Sequence, residues 1–151
     1  MNVQFIKAEP CHLHDCSLAL QNSELGRVYF SGEDSADKAI QEGISKGEIT
    51  LAINENNICL GFLWVIINGA FHSFPYLHII AIKEQYRGTG IGKKLLNYFE
   101  ESSKSSKLFL VVADFNPRAK KLYESMGYIE IGVIPNLYKE GVNECFMMKV
   151  N

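Results

Sequence analysis

The sequence predicts an α/β protein of one domain, in which helices flank a central sheet. The chain has 151 residues, of which 47% are hydrophobic, and this is enough for one sizeable core. Strand-like apolar segments alternate with helical segments along the chain. Between Ile80 and Leu96 an apolar strand, three alternating glycines and an amphipathic helix follow one another directly.

The elements follow from hydrophobic periodicity and turn signals. A strand at 3–7 ends before Pro10, a helix follows near 11–23, and a linker around 25–34 precedes the second helix. That helix lies at 35–45, and the remaining elements are strands at 48–54, 58–67 and 76–82, a helix at 91–102, a strand at 108–113, a helix at 116–126, and strands at 128–134 and 144–150.

The helix at 116–126 has well-defined local signals at both ends. Asn116 is a good N-cap, Pro117 is favoured at the first helical position, and Gly127 is a natural residue just past a helix end. Local residue chemistry therefore predicts a short helix between two strands.

The three glycines Gly88, Gly90 and Gly92 predict a phosphate-binding turn. Glycine lets the backbone approach a ligand closely, and the helix that follows presents unpaired N–H groups at its positive end. The spacing is not the G-x-G-x-x-G of a dinucleotide site, and it is not a P-loop either, because Arg87 and Lys94 occupy positions where that motif needs other residues.

The segment resembles the acyl-CoA pyrophosphate loop of the GNAT superfamily of N-acetyltransferases, written Arg/Gln-x-x-Gly-x-Gly/Ala. Arg87, Gly90 and Gly92 stand at its fixed positions, after a strand and before a helix. The stretch from Asn116 through Ala119 and Tyr123 to Gly127-Tyr128 is similar to the second GNAT signature. With the element order, the resemblance covers nearly the whole chain.

This resemblance implies a fold and a cosubstrate. The fold would be a single domain spanning residues 1–151, with a central mixed, mostly antiparallel sheet of about seven strands, splayed between strands 4 and 5 and flanked by about four helices. The cosubstrate would be acetyl-CoA, with its pantetheine arm lying between the splayed strands. The residues implied as coenzyme contacts are Ile80, Ala81, Ile82, Arg87, Gly88, Thr89, Gly90, Ile91, Gly92, Lys93, Asn116 and Tyr123.

Acetyl transfer needs a base for the amine and an acid near the sulfur. Tyr123 is the acid that the resemblance implies. His78 is the predicted base, since an imidazole can accept a proton near neutral pH, and strand alternation places it on one face with Tyr76 and Ile80. Because Tyr76 and Val111 stand where relatives carry glutamates, a water relay and Asp114 are alternatives.

The acceptor groove is predicted from aromatic residues and from the family's usual placement of this groove. The predicted acceptor contacts are Tyr29, Phe30, Phe74, Tyr76 and His78. An aromatic-lined groove suits an aryl amine or an apolar peptide end. The activity that the resemblance implies is transfer of an acetyl group from acetyl-CoA to a primary amine, either a small molecule or a peptide, by direct attack in a ternary complex. The run from Asn136 to Tyr138, followed by Glu144, is similar to the hairpin of ribosomal-protein N-terminal acetyltransferases, so that activity is one alternative. A non-catalytic domain that binds acyl-CoA is another.

Composition argues against several other classes. A net charge of −2 argues against a nucleic-acid partner, and the absence of a long apolar stretch argues against a membrane partner. The cluster from Cys11 to Cys16 has no second pair of ligands, so no metal is expected. Without an export pattern the expected location is the cytoplasm. An exposed edge at the last strands makes a homodimer a possible assembly.

Overall fold

The computed structural model describes residues 2–151, whose seven strands form one sheet. The strand order across the sheet is β1-β2-β3-β4-β5-β7-β6. The strands are β1 (Gln4–Lys7), β2 (Ile49–Ile53), β3 (Cys59–Ala70), β4 (Phe74–Ile82), β5 (Lys107–Ala113), β6 (Ile129–Ile134) and β7 (Glu144–Val150).

Helices cover parts of both faces of the sheet. They are α1 (Leu13–Gln21), α2 (Glu24–Tyr29), α3 (Ser35–Ser45), α4 (Ile91–Ser103) and α5 (Pro117–Ser125), with 3₁₀ turns at Pro10–His12 and Glu84–Tyr86. Asn116 caps α5 as predicted, because its side-chain oxygen accepts a hydrogen bond from the Ala119 amide at 3.3 Å.

Two cores lie on opposite faces of the sheet. Leu20 of α1 and Ile40 of α3 pack with Trp64 of β3 in one core. Phe99 of α4 packs with Leu110 of β5 in the other core. Both faces of the central strands are therefore buried, which is why their sequences are almost continuously apolar.

The pairing of β4 with β5 differs from the rest of the sheet. It is parallel, whereas the other neighbouring strands pair antiparallel. It consists of two residue pairs, Tyr76 with Phe109 and Leu77 with Leu110. Beyond Leu77 no residue pair joins the two strands. We call the unpaired region between their carboxyl ends the β4–β5 cleft.

The expectation that Tyr76, His78 and Ile80 share one face of β4 was wrong. The register against β3 shifts between Trp64 and Val65, so His78 forms a bulge without a paired residue. After this extra residue, Ile80 packs in the α4/α5 core with Leu77. A single bulged residue reverses the alternation that sequence parity assumes.

The predicted linker at 25–34 was also partly wrong, since it contains α2. This accounts for the fifth helix beside the four that were expected. The Ser23 hydroxyl caps α2 by accepting from the Gly26 amide at 3.0 Å, and it donates to the Leu20 carbonyl at 2.6 Å. The helix has six residues, too few to give a periodic signal in the sequence.

No helix among residues 2–151 is long and apolar enough to cross a membrane. Within the same range, no group of three or more His, Cys, Asp or Glu side chains is arranged around a common point.

The contact between α1 and α2 leads to a testable prediction. A Cβ on Gly26 would lie 1.8 Å from the Leu20 carbonyl oxygen, so Gly26→Ala must push α2 away from α1. We expect a loss of at least about 2 kcal/mol in the free energy of unfolding, typical of an overpacked contact. Urea unfolding measures this loss.

Gly32→Ala is the matched control, because a Cβ there has no neighbour closer than 3.7 Å. Equal stability of the two variants would contradict the described packing of α2.

Candidate functional site

The cleft between β4 and β5 is the centre of the candidate site. From His78 to Ile82, β4 has no partner strand on the side of β5, so its backbone groups there are available to a ligand. The end of β4 is held in place by Lys83, whose ammonium lies 2.5 Å from a carboxylate oxygen of Asp15 on α1. Lys83 is itself buried, with 8% of its surface exposed.

Six consecutive backbone amides follow at the open end of the cleft. The amides of Gly88 through Lys93 have no hydrogen-bond acceptor among residues 2–151, and the Lys94 amide begins the ladder of α4 by donating to the Gly90 carbonyl at 3.2 Å. Gly88 and Gly90 have φ values of 76° and 88°. Left-handed residues beside right-handed ones make successive N–H groups converge on a concavity that suits anions.

Arg87 fixes the shape of this loop. Its guanidinium donates to the carbonyl of Ile82 at 3.2 Å and to the carbonyl of Asn22 at 2.6 Å. Its amide donates to Glu84 at 3.3 Å, so the series of unpaired amides starts one residue later, at Gly88. Arg87 therefore connects the loop to the end of β4 and to the residue after α1.

Tyr123 lies on the α4/α5 side of the cleft. Its side chain is 6% exposed, and its ring is T-shaped to Tyr128 at 6.0 Å between centroids. The hydroxyl has no hydrogen-bond partner among residues 2–151. Burial raises the pKa of Tyr123, so the hydroxyl keeps its proton at neutral pH.

His78 lies at the bulge of β4, on the opposite face. Its ring meets buried Trp64 edge-on at 4.7 Å, and it is 6.3 Å from the ring of Tyr76. Burial lowers the pKa of His78, while the charges of Glu48 and Glu42 act in the other direction. The imidazole is consequently neutral at pH 7.

Aromatic rings and a carboxylate meet on the α2 side of the cleft. Tyr29, the last residue of α2, donates from its hydroxyl to Glu144 Oε2 at 2.5 Å. Its ring lies 5.6 Å from Phe115 and 5.5 Å from Tyr138 in the β6–β7 loop. The hydroxyls of Tyr138 and Tyr76 are 3.3 Å apart, which extends this group to β4.

Glu144 is a buried carboxylate that the sequence analysis names in the hairpin resemblance but does not include among the predicted site residues. It begins β7, opposite Ala113 at the end of β5, and is 2% exposed. Burial raises the pKa of Glu144, the hydrogen bond from Tyr29 lowers it, and the charge of Asp114 raises it. A charged residue at the start of an otherwise apolar strand was the signal in the sequence that could have identified it.

The predicted acceptor contacts are only partly brought together. Tyr29 and Tyr76 meet through Tyr138. Phe30 instead packs against the core beneath α1 and α3. Phe74 lies before the paired part of β4, 5.5 Å from Phe109, with the Lys107 ammonium 5.6 Å from its ring centroid.

The sequence matches one family and several relatives. The acetyltransferase (GNAT) family profile matches residues 18–128. An uncharacterised protein of Mycobacterium leprae is 31% identical over 91 residues, or 60% of this chain, and the chain spans 25% of that relative's length. The N-alpha-acetyltransferase RimI of Mycobacterium tuberculosis is 25% identical over 130 residues, which is 84% of this chain and 82% of that protein.

Solved structures have the same fold. A GNAT-family acetyltransferase from Bacillus cereus superposes with a TM-score of 0.80 and 22% identity, covering 100% of this chain and 99% of that one. An aminoglycoside 6′-N-acetyltransferase complexed with coenzyme A gives 0.76 and 20% identity, with coverages of 99% and 97%. These neighbours confirm the predicted fold class. The family profile covers most of the chain, and the protein therefore belongs to the GNAT family of acetyltransferases.

Proposed function

We propose that the protein transfers an acetyl group from acetyl-CoA to a primary amine by direct attack in a ternary complex. The observation that carries this proposal is the run of six amides without acceptors, Gly88 to Lys93, at the open end of the β4–β5 cleft. These amides suit the pyrophosphate of the coenzyme. The coenzyme A complex of the aminoglycoside acetyltransferase, which has the same fold, supports this choice of cosubstrate.

The pantetheine arm would occupy the cleft. The unpaired edge of β4 at Ile80, Ala81 and Ile82 offers it backbone partners, as a neighbouring strand would. Since the Asn116 oxygen caps α5, the amide NH₂ of Asn116 is the part of that side chain that remains for a ligand. Lys93, exposed on the first turn of α4, adds positive charge near the phosphates.

Acetyl transfer then requires alignment of the amine with the thioester, and proton transfer. A thioester is already activated, so holding the amine beside its carbonyl supplies much of the rate, up to about 7–11 kcal/mol for ideal alignment. We assign to Tyr123 the role of donating a proton to the leaving sulfur. Its buried hydroxyl is protonated at neutral pH and has no competing partner within residues 2–151.

The catalytic role of His78 stays a prediction. A neutral imidazole can accept a proton, and the ring lies beside Tyr76 at the bulge where β4 leaves β5. However, its edge-on packing against Trp64 would serve equally well in a core histidine.

Acetylation of a protein N-terminus is the second candidate activity. The similarity to RimI of Mycobacterium tuberculosis favours it, and the exposed Leu137 and Tyr138 beside the cleft could contact a peptide. Small amines and peptides with free N-termini therefore belong in one assay, in which thiol release from acetyl-CoA is followed. Saturable coenzyme binding with no turnover of any acceptor would instead indicate a non-catalytic acyl-CoA-binding domain.

The glycine loop gives a prediction on coenzyme affinity. Gly90→Ala places a Cβ at a φ of 88°, a conformation that costs an L-residue about 1–2 kcal/mol and that would move the amides of the loop. We expect the Kd for CoA to rise about tenfold in calorimetry.

Gly141→Ala is the matched control for Gly90→Ala. Its φ is 85° and a Cβ there also meets nothing within 4 Å, but it lies outside the glycine loop. We expect the same backbone strain and an unchanged Kd. Wild-type affinity in the Gly90→Ala variant would remove the loop from the coenzyme site.

Tyr123 gives a prediction on turnover. Tyr123→Phe removes the proposed proton donor and little volume, so turnover should slow at least tenfold while CoA affinity changes little. Tyr98→Phe is the control, because Tyr98 of α4 stacks on Phe5 in another part of the molecule. An unaltered rate for Tyr123→Phe would exclude it from the mechanism.

A further inference from the structure

We propose that Glu144 binds the ammonium group of the acceptor and accepts its proton, which makes the acceptor a primary amine that enters as a cation. This proposal rests on the acetyl transfer proposed above, and it names the group that recognises the acceptor. His78, Asp114 and a water relay are the proton acceptors predicted from the sequence, and the structure adds this carboxylate.

One carboxylate oxygen of Glu144 is hydrogen-bonded, and the other is not. Oε2 accepts the hydrogen bond from Tyr29 at 2.5 Å. Oε1 has no partner among residues 2–151, although it is not sealed from solvent. Because Cys145 and Met147 point into the α4/α5 core, strand alternation directs Glu144 to the opposite side, toward α2.

The carboxylate also lacks a cation. None of the ion pairs found among residues 2–151 includes Glu144. A buried charge is costly unless a counter-charge or hydrogen bonds compensate it, and one hydroxyl supplies only part of this. An acceptor ammonium at Oε1 would supply the missing positive charge.

The surrounding rings suit the same ligand. The ring of Tyr29 lies 5.6 Å from that of Phe115 and 5.5 Å from that of Tyr138, measured between centroids. Tyr76 joins this group through its hydroxyl, which is 3.3 Å from that of Tyr138. Aromatic faces attract cations, and they exclude water from the alkyl chain that carries one. This group of rings therefore favours an alkylammonium over an anionic acceptor.

The acceptor group and the proposed acid lie on opposite faces of the sheet. Glu144 contacts Tyr29 of α2 on one face, and Tyr123 packs in the α4/α5 core on the other. A thioester in the cleft would have the acceptor on one side and the proton donor on the other.

Four proton transfers accompany the proposed reaction. The Glu144 carboxylate takes one proton from the ammonium and leaves a neutral amine. The nitrogen lone pair attacks the thioester carbon, the C–S bond breaks, and the departing sulfur takes the proton of the Tyr123 hydroxyl. The tyrosinate regains a proton from the acylated nitrogen, and Glu144 releases its proton to solvent. The products are the amide, CoA as a thiol and one proton.

Four elements bring titratable groups to Glu144, and these set the pH dependence. They are Tyr29 of α2, Tyr76 of β4, Asp114 after β5, and Tyr138 in the β6–β7 loop. Burial and Asp114 place the pKa of Glu144 above that of an ordinary glutamate, while Tyr29 opposes this. Only the carboxylate form can accept a proton, so kcat/KM should fall as the pH drops through this raised pKa.

The test begins with binding, which does not depend on turnover. Protein saturated with CoA is titrated with a straight-chain alkylamine, with a short peptide carrying a free N-terminus, and with an aniline that is uncharged at pH 7.5. We expect the wild type to bind an ammonium and not the aniline, and Glu144→Gln to bind that ammonium at least tenfold more weakly. Comparison of the alkylamine with the peptide identifies the source of the ammonium.

Glu101→Gln is the matched control, because Glu101 is exposed near the carboxyl end of α4, at the end of that helix away from the glycine loop. It should behave as the wild type. The CoA affinity and melting temperature of Glu144→Gln should also stay near the wild-type values, since glutamine can still accept the Tyr29 hydrogen bond. Equal ammonium binding by Glu144→Gln and the wild type overturns the proposal.

Kinetics separate proton transfer from binding. With acetyl-CoA, Glu144→Gln should lower kcat/KM for the preferred amine at least 100-fold and abolish the acid limb of its pH profile. Tyr29→Phe removes a hydrogen bond that lowers the pKa of Glu144, so its acid limb should move to higher pH. A profile that keeps its acid limb in Glu144→Gln and loses it in His78→Asn assigns the proton to His78 and overturns the proposal.

Failure of the proposed function has a different signature. In that case the wild type binds an ammonium through Glu144 but releases no thiol from acetyl-CoA with any amine. Binding would then stand without catalysis, whereas turnover that Glu144→Gln leaves intact removes Glu144 and leaves acetyl transfer standing.

Discussion

The rest of the site depends on the short pairing between β4 and β5. Two residue pairs join these parallel strands, and beyond Leu77 no residue pair does. An unpaired strand edge inside a protein leaves backbone donors and acceptors that need partners. A ligand lying along that edge can supply them, as proposed here for the pantetheine arm of the coenzyme. The helices on either side then determine which chemical groups face the ligand.

The supports of the cleft are mostly polar contacts to backbone and helix ends. Lys83 pairs with Asp15 at the end of β4, and Arg87 joins the carbonyls of Ile82 and Asn22. These contacts hold the glycine loop at the point where β4 stops and α4 begins. The amides of the loop can therefore stay unpaired while the loop keeps its shape. In this arrangement the charged guanidinium of Arg87 acts by holding the loop in its conformation.

Most of the fold could be predicted from the sequence. Helix α3 and strand β7 have the bounds that periodicity predicted, and α5 has the predicted cap. Local signals determine such elements, since caps, turn residues and apolar spacing lie within a few residues. The face of Ile80 could not be predicted in this way, because the bulge at His78 arises from the register of β4 against β3.

The buried carboxylate of Glu144 illustrates the same limit. The family resemblance implies a glutamate at position 76 or 111, on β4 or β5, where this chain has Tyr76 and Val111. The structure brings Glu144 from β7 to the same side of the sheet, where Tyr29 of the unpredicted helix α2 contacts it. Tyr29 and Glu144 are 115 positions apart along the chain. No local pattern records such a contact, which depends on strand order and on a helix too short to detect.

Binding of the coenzyme's diphosphate by the backbone amides of 88–93 can be followed by amide NMR of ¹⁵N-labelled protein titrated with CoA. We expect these six amide protons to move downfield together with saturation and to become protected from exchange, while amides in the β2–β3 turn stay unchanged. Saturable CoA binding that leaves the six resonances in place would contradict this binding mode.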